Sequence, residues 1–188
     1  MAGSFQNSRT MAGTFHPSEQ RNDPMTASHG YGEKVPWRKL RFETTDQCAE
    51  EVRRIAQADR EGRVRIAGNW TPGQVMAHVA AWIEYAYEGF PIRRPPFFIR
   101  WILRLQRQRI LSQGMPRGIK IPRVEGGTTG IDDMETQAAA QRLLAALTRL
   151  KSPELAPHAS PAFGPMSHED RIRLNLRHAE LHLGHLSY

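Results

Sequence analysis

The stretch from Thr71 to Gly89, TPGQVMAHVAAWIEYAYEG, satisfies the local rules for a helix at both ends. Thr71 is a favoured N-cap, Pro72 suits the first turn, and Gln74 completes a capping box. Four further segments carry helical signals. One runs from about Asp46 to Arg60 with Thr45 as its cap, and places Cys48, Val52, Ile55 and Ala56 on one side. Another runs from about Pro96 to Gln113 and ends at Gly114. It spaces Phe97, Trp101 and Leu105 four apart, with Arg100, Arg104 and Arg107 on a neighbouring face. A plain amphipathic helix covers roughly Asp132 to Lys151, and a last one, capped by Ser167 with Asp170 three residues later, runs to the C-terminus. MPRGIKIPRVEGGTTG and the stretch holding Pro153, Pro157, Pro161 and Pro165 read as loops. No segment has a convincing strand pattern, so the expected fold class is all-α, a helical bundle.

Composition narrows the classes further. The 39% hydrophobic and 24% charged contents are those of a globular chain, and 188 residues suffice for one domain with a core. No run of about 18 apolar residues is present to span a membrane. The opening MAGSFQNSRTMAGTF lacks the charged and apolar regions of a secretory signal. A lone cysteine, Cys48, excludes an internal disulfide and a cysteine-rich zinc site. The expected location is the cytoplasm. Residues 1–34 are rich in small polar residues and read as a disordered tail; the near-repeat of MAGSF and MAGTF raises the alternative of a start of translation further downstream. The bundle domain is expected over 35–188.

The net charge of +7 is local. From Pro91 to Arg123 there are nine basic residues and no acidic one, against 17 basic and 19 acidic elsewhere. Such a segment attracts phosphates, anionic lipid or an acidic substrate, or is simply a solvated face. It has no helix-turn-helix or zinc-finger signature, which argues against a nucleic-acid partner.

The last helix contains LRHAELHLGHL. On a helical wheel Glu169, Asp170, Arg173, Arg177 and Glu180 fall together and define an expected water face. Asn175, His178, His182 and His185 lie between the leucines of the opposite side. Each inward histidine is open to two readings, a neutral core residue or a ligand. His178 and His182 are four apart, about 5–6 Å between Cβ atoms, and so can reach one divalent ion. The order HAELH is not the zincin H-E-x-x-H, and Glu180 falls on the expected water face, so a metalloprotease is rejected. A third ligand is needed. His78 sits at the edge of the apolar arc of its helix near Trp82 and Tyr85, and reads equally as a hydrogen-bonded boundary histidine or as that ligand. His16, His29, His158 and His168 fall in the tail, a loop and a first turn, where exposure is expected.

With these residues placed, the chain resembles the DinB-like superfamily of four-helix bundles. NWTPGQVMAHVAAW is similar to that family's single-histidine motif, and LRHAELHLGHL to its H-x-x-x-H motif. The wording, with SPAFGPMSHED before the last helix, is closest to an uncharacterised branch, domain of unknown function 1569. The resemblance covers roughly residues 40–188. It implies a DinB-like four-helix bundle with an extra helix and long loops, and a divalent metal (zinc, nickel or iron) on His78, His178 and His182. His185 departs from the family's common glutamine and is open as a hydrogen-bonding partner of a ligand, a fourth ligand or core. Relatives in the superfamily imply activation of a small thiol for transfer or isomerisation. Trp82, Tyr85 and Asn175 would then line the pocket around a small-molecule substrate and a low-molecular-weight thiol. A homodimer is also among the expectations. The alternative is a non-catalytic bundle with a structural metal, working through the basic amphipathic helix PPFFIRWILRLQRQRI.

Overall fold

The computed structural model describes residues 35–122 and 124–188, and the expectation for 1–34 falls outside them. The described residues form five α-helices: α1 (Thr45–Arg60), α2 (Pro72–Glu88), α3 (Phe97–Gln113), α4 (Thr136–Lys151) and α5 (His168–Leu183). The caps explain most of the boundaries. Thr71 Oγ1 accepts from the Gln74 N–H at 3.2 Å while Gln74 Oε1 accepts from the Thr71 N–H at 3.0 Å, closing the capping box. Ser167 caps α5 through the Asp170 N–H. α1 starts one residue before the expected position, because Thr44 and not Thr45 accepts from the Gln47 N–H. α4 starts four residues late. Glu135 caps it through the Gln137 and Ala138 N–H groups, while Asp132 is drawn out to pair with Arg142.

α1, α2, α4 and α5 share one core. Val52 and Ile55, Met76 and Ile83, Leu143 and Leu150, and Leu176 and Leu183 are all fully buried in it. α3 stands outside these four and packs on α5, burying only Ile110 and Leu111. Its stripe of Phe97, Trp101 and Leu105 points to solvent, with exposures of 82%, 63% and 65%. No described helix is long and apolar enough to cross a membrane.

Two expectations are corrected. The first concerns strands. α5 stops at Leu183, and Leu186–Ser187 (β2) pairs antiparallel with Arg65–Ile66 (β1), a two-residue ladder too short to leave a periodic signal. The second concerns the water face of α5. Arg177 and Glu180 are buried, because the extended segment around Trp37–Phe42 lies across them. The Phe42 N–H donates to Glu180 Oε1, Arg177 donates to the Phe42 carbonyl, and Trp37 Nε1 donates to the Leu181 carbonyl at 3.1 Å. A helical wheel sees one helix alone and cannot anticipate a strap of chain passing over it.

Candidate metal centre

α2 and α5 pack side by side and bring His78 against His178 and His182. Ring centroids are 5.0 Å apart for His78–His178, 4.4 Å for His78–His182 and 4.5 Å for His178–His182. One nitrogen from each ring lies within 4.8 Å of the other two, so the three are able to hold one metal ion. Two nitrogens on one ion sit at most about 4 Å apart, so the set is within about an ångström of that spacing.

The protonation of the cluster suits a cation. Burial pushes His78 down to about 4 and His182 down to about 3, and drives His178 well below the usual imidazole value. All three therefore present neutral rings with a lone pair at neutral pH. The tautomer of His78 is fixed from outside. Its Nδ1–H donates to the Thr129 carbonyl at 2.9 Å, leaving Nε2 as the donor nitrogen, an arrangement common for metal-bound histidine. Trp82 Nε1 donates to the same oxygen at 3.2 Å. His178 Nδ1 is buried and has no hydrogen-bond partner among the described residues, a cost of about 1–3 kcal/mol for an unsatisfied polar group that a bound ion would remove.

The loop holding Thr129 can approach α2 only because residue 130 is glycine. Its φ is +79°, and a Cβ there would lie 2.8 Å from the Ala81 Cβ and 2.9 Å from the Tyr85 hydroxyl. Two indoles enclose the cluster. Trp70 stacks on His182 with centroids 5.6 Å apart and planes 5° from parallel, and Trp82 lies 5.5 Å from His178.

The three histidines form part of the wall of a cavity of about 950 Å³ between the bundle, α3 and the loop after it. Trp82, Asn175 and His185 also line it. Tyr85 stands behind the wall, against Phe90 and Gly130. His185 is outside the close group. Its Nδ1–H donates to the Ala67 carbonyl while its own carbonyl accepts from the Ala67 N–H at 2.7 Å, so ring and backbone are both tied to the residue that leaves β1. His158 is exposed, as expected, whereas His168 is half-buried.

Two contributors to the site were not singled out in the sequence. Trp70 precedes the cap of α2, and its indole position was the available signal. Arg171 is buried on α5 and lines the cavity. It sits four residues before Asn175 and seven before His178, the spacing of one helical face.

Helices, cavity and cluster together define an α-helical bundle with a three-histidine candidate metal centre. The chain belongs to the family described as protein of unknown function DUF1569, which it matches over residues 34–188. No curated protein and no solved structure matches it.

Proposed function

We propose that this chain is a DinB-like metal-dependent enzyme that activates a small thiol for transfer or isomerisation. The observation that carries the reading is the convergence of three neutral imidazoles, from two helices, on the wall of one cavity. An ordinary core has no use for this. Three desolvated imidazoles in one place, one of them with a buried Nδ1 that no described group satisfies, cost stability. Imidazole donors suit zinc, nickel or iron. A divalent ion held by three neutral ligands keeps its charge and lowers the pKa of a water or thiol bound beside it. Trp70 and Trp82 exclude water from the flanks of the cluster, and the Thr129 carbonyl holds His78 in the binding tautomer. Asn175, one turn before His178, anchors its Nδ2 on the Arg171 carbonyl at 3.0 Å and lines the cavity where it can orient a ligand. The tether of His185 to Ala67 favours three protein ligands over four, which is the arrangement of an open site.

The test is cobalt substitution followed by titration with low-molecular-weight thiols. A sulfur-to-cobalt charge-transfer band should grow on addition of thiol to the wild type and be absent from His178→Ala. Cobalt bound in a site that no thiol perturbs contradicts thiol chemistry.

A second reading is favoured by one observation, the exposure of Phe97, Trp101 and Leu105 on α3 beside Arg104 of the same helix and Arg94 just before it. In it α3 lies on an anionic membrane surface, its aromatic ridge in the interface and its arginines on the headgroups. Flotation with vesicles containing phosphatidylserine should then recover the protein, with phosphatidylcholine vesicles failing to do so and Trp101→Ser abolishing recovery.

A further inference from the structure

Two arginines of α5 are buried, and they are not equivalent. Arg177, 2% exposed, has a carboxylate partner, with Glu180 Oε1 3.2 Å from its Nη1. Arg171, 6% exposed, has none among the described residues. Its one side-chain hydrogen bond runs from Nη2 to the His158 carbonyl at 3.1 Å. A guanidinium offers five donors and cannot shed its charge, so a buried one without an anion is an expensive arrangement. Burial accordingly lowers its pKa from the ordinary arginine value.

The surroundings of Arg171 say what would complete it. It lines the same cavity as the three histidines, whose walls are mostly apolar. Four more cations, Arg93, Arg94, Arg117 and Lys120, line that cavity, and no described acidic residue does. These four are exposed, whereas Arg171 lies inside. Low-dielectric walls with one sign of charge focus the field and concentrate the opposite ion. Along α5, Arg171 and His178 are seven residues apart on one face, so about 10 Å separates them along the helix axis. Asn175 lies between.

We propose that Arg171 is the anion-binding group of this cavity. It holds the carboxylate of a small, largely apolar acid whose other end lies against Trp82 and the histidines. The four exposed cations draw the acid in, and Arg171 pairs with it in a planar, two-toothed contact out of water. The assignment of that acid as the substrate rests on the metal-dependent reading above. The subsite itself does not, since Arg171 and the apolar wall are present whatever the histidines hold.

The experiment uses two probes of one shape, 4-phenylbutyrate and its neutral amide, titrated calorimetrically into the full-length protein. Metal is first stripped with chelator, because a carboxylate can also ligate a metal. Metal-free wild type should bind the acid roughly tenfold or more tightly than the amide, the scale of a charge-assisted hydrogen bond. Arg171→Gln should bind both alike, and Arg171→Lys should keep part of the preference. Arg93→Gln with Arg94→Gln should slow association while leaving most of the preference in place. Equal binding of acid and amide by the wild type overturns the proposal without recourse to any variant. So does an undiminished preference in Arg171→Gln, or a preference lost only when Arg93 and Arg94 are replaced. Metal uptake is measured separately, by reconstituting the stripped wild type with zinc. A failed metal titration with the acid preference intact therefore removes the metal reading and leaves the subsite.

Discussion

The Nδ1–H of His78 and the indole N–H of Trp82 share one acceptor, the carbonyl oxygen of Thr129, at 2.9 Å and 3.2 Å. That oxygen belongs to the backbone of a loop, so the tautomer of a candidate ligand depends on how closely the loop approaches α2. Gly130 sets the approach.

Gly130→Ala should therefore weaken metal binding without touching any of the three histidines. A Cβ at this position meets Ala81 and Tyr85 and lifts Thr129 away from His78. Loss of a hydrogen bond that orients a ligand typically costs about 10–100-fold in metal affinity. Gly62→Ala is the control, since Gly62 also has positive φ, at +66°, but no described atom within 4 Å of a Cβ. Competition titration with a chromophoric chelator measures both, and equal affinities in the two variants would remove Thr129 from the account.

His185→Ala should keep the metal. The ring is held by Ala67 and stands outside the close group, so its loss should loosen the junction of α5 with β2 and lower thermal stability while stoichiometry stays at that of the wild type. Loss of metal in this variant, measured by elemental analysis, would make His185 a ligand and the site closed.

Replacing Glu180 should cost far more than its position on the helical wheel suggests. Glu180→Ala leaves Arg177 buried beside no carboxylate and orphans the Phe42 N–H. Breaking a buried pair in this way costs about 3–5 kcal/mol. Arg173→Ala, on the exposed side of the same helix, should fall within about 0.5 kcal/mol of wild type. Urea unfolding of the two variants gives the comparison directly.

Cys48 should be chemically silent in the folded protein. Burial pushes its thiol up to about 12, helped by the charges of Glu51 and Glu180. The native state keeps the proton where an unfolded cysteine, with a pKa of about 8.5, has lost it. The unfolded chain then binds fewer protons, so this group's contribution makes stability fall as pH rises from about 9 toward 12. Ellman's reagent should react with the denatured protein at mildly alkaline pH and leave the native protein unmodified. Rapid native reaction would mean that α1 opens readily.

How much of this was written in the sequence depends on how local each feature is. The cap and box at Thr71 and Gln74, and the cap at Ser167, are contacts within four residues, and both helices begin where those residues require. The approach of His78 to His178 spans a hundred positions. It was accessible only because both residues fall on the inner arcs of their own helices and because the family resemblance pairs them. Arg177 and Glu180 misled, since their burial is caused by Phe42, which no periodicity connects to α5. The same holds for His185, whose partner Ala67 lies over a hundred residues away, just beyond a two-residue ladder. Arg171 looked like any other arginine, for what distinguishes it is the absence, among the described residues, of a carboxylate paired with it.

The most direct test of the central claim is the divalent-metal content of untagged protein, measured by elemental analysis after reconstitution with zinc, nickel or iron. The account predicts close to one equivalent in wild type and close to none in His78→Ala, His178→Ala and His182→Ala. Wild type holding far less than one equivalent of any of these metals would contradict it, as would histidine variants that hold as much as the wild type.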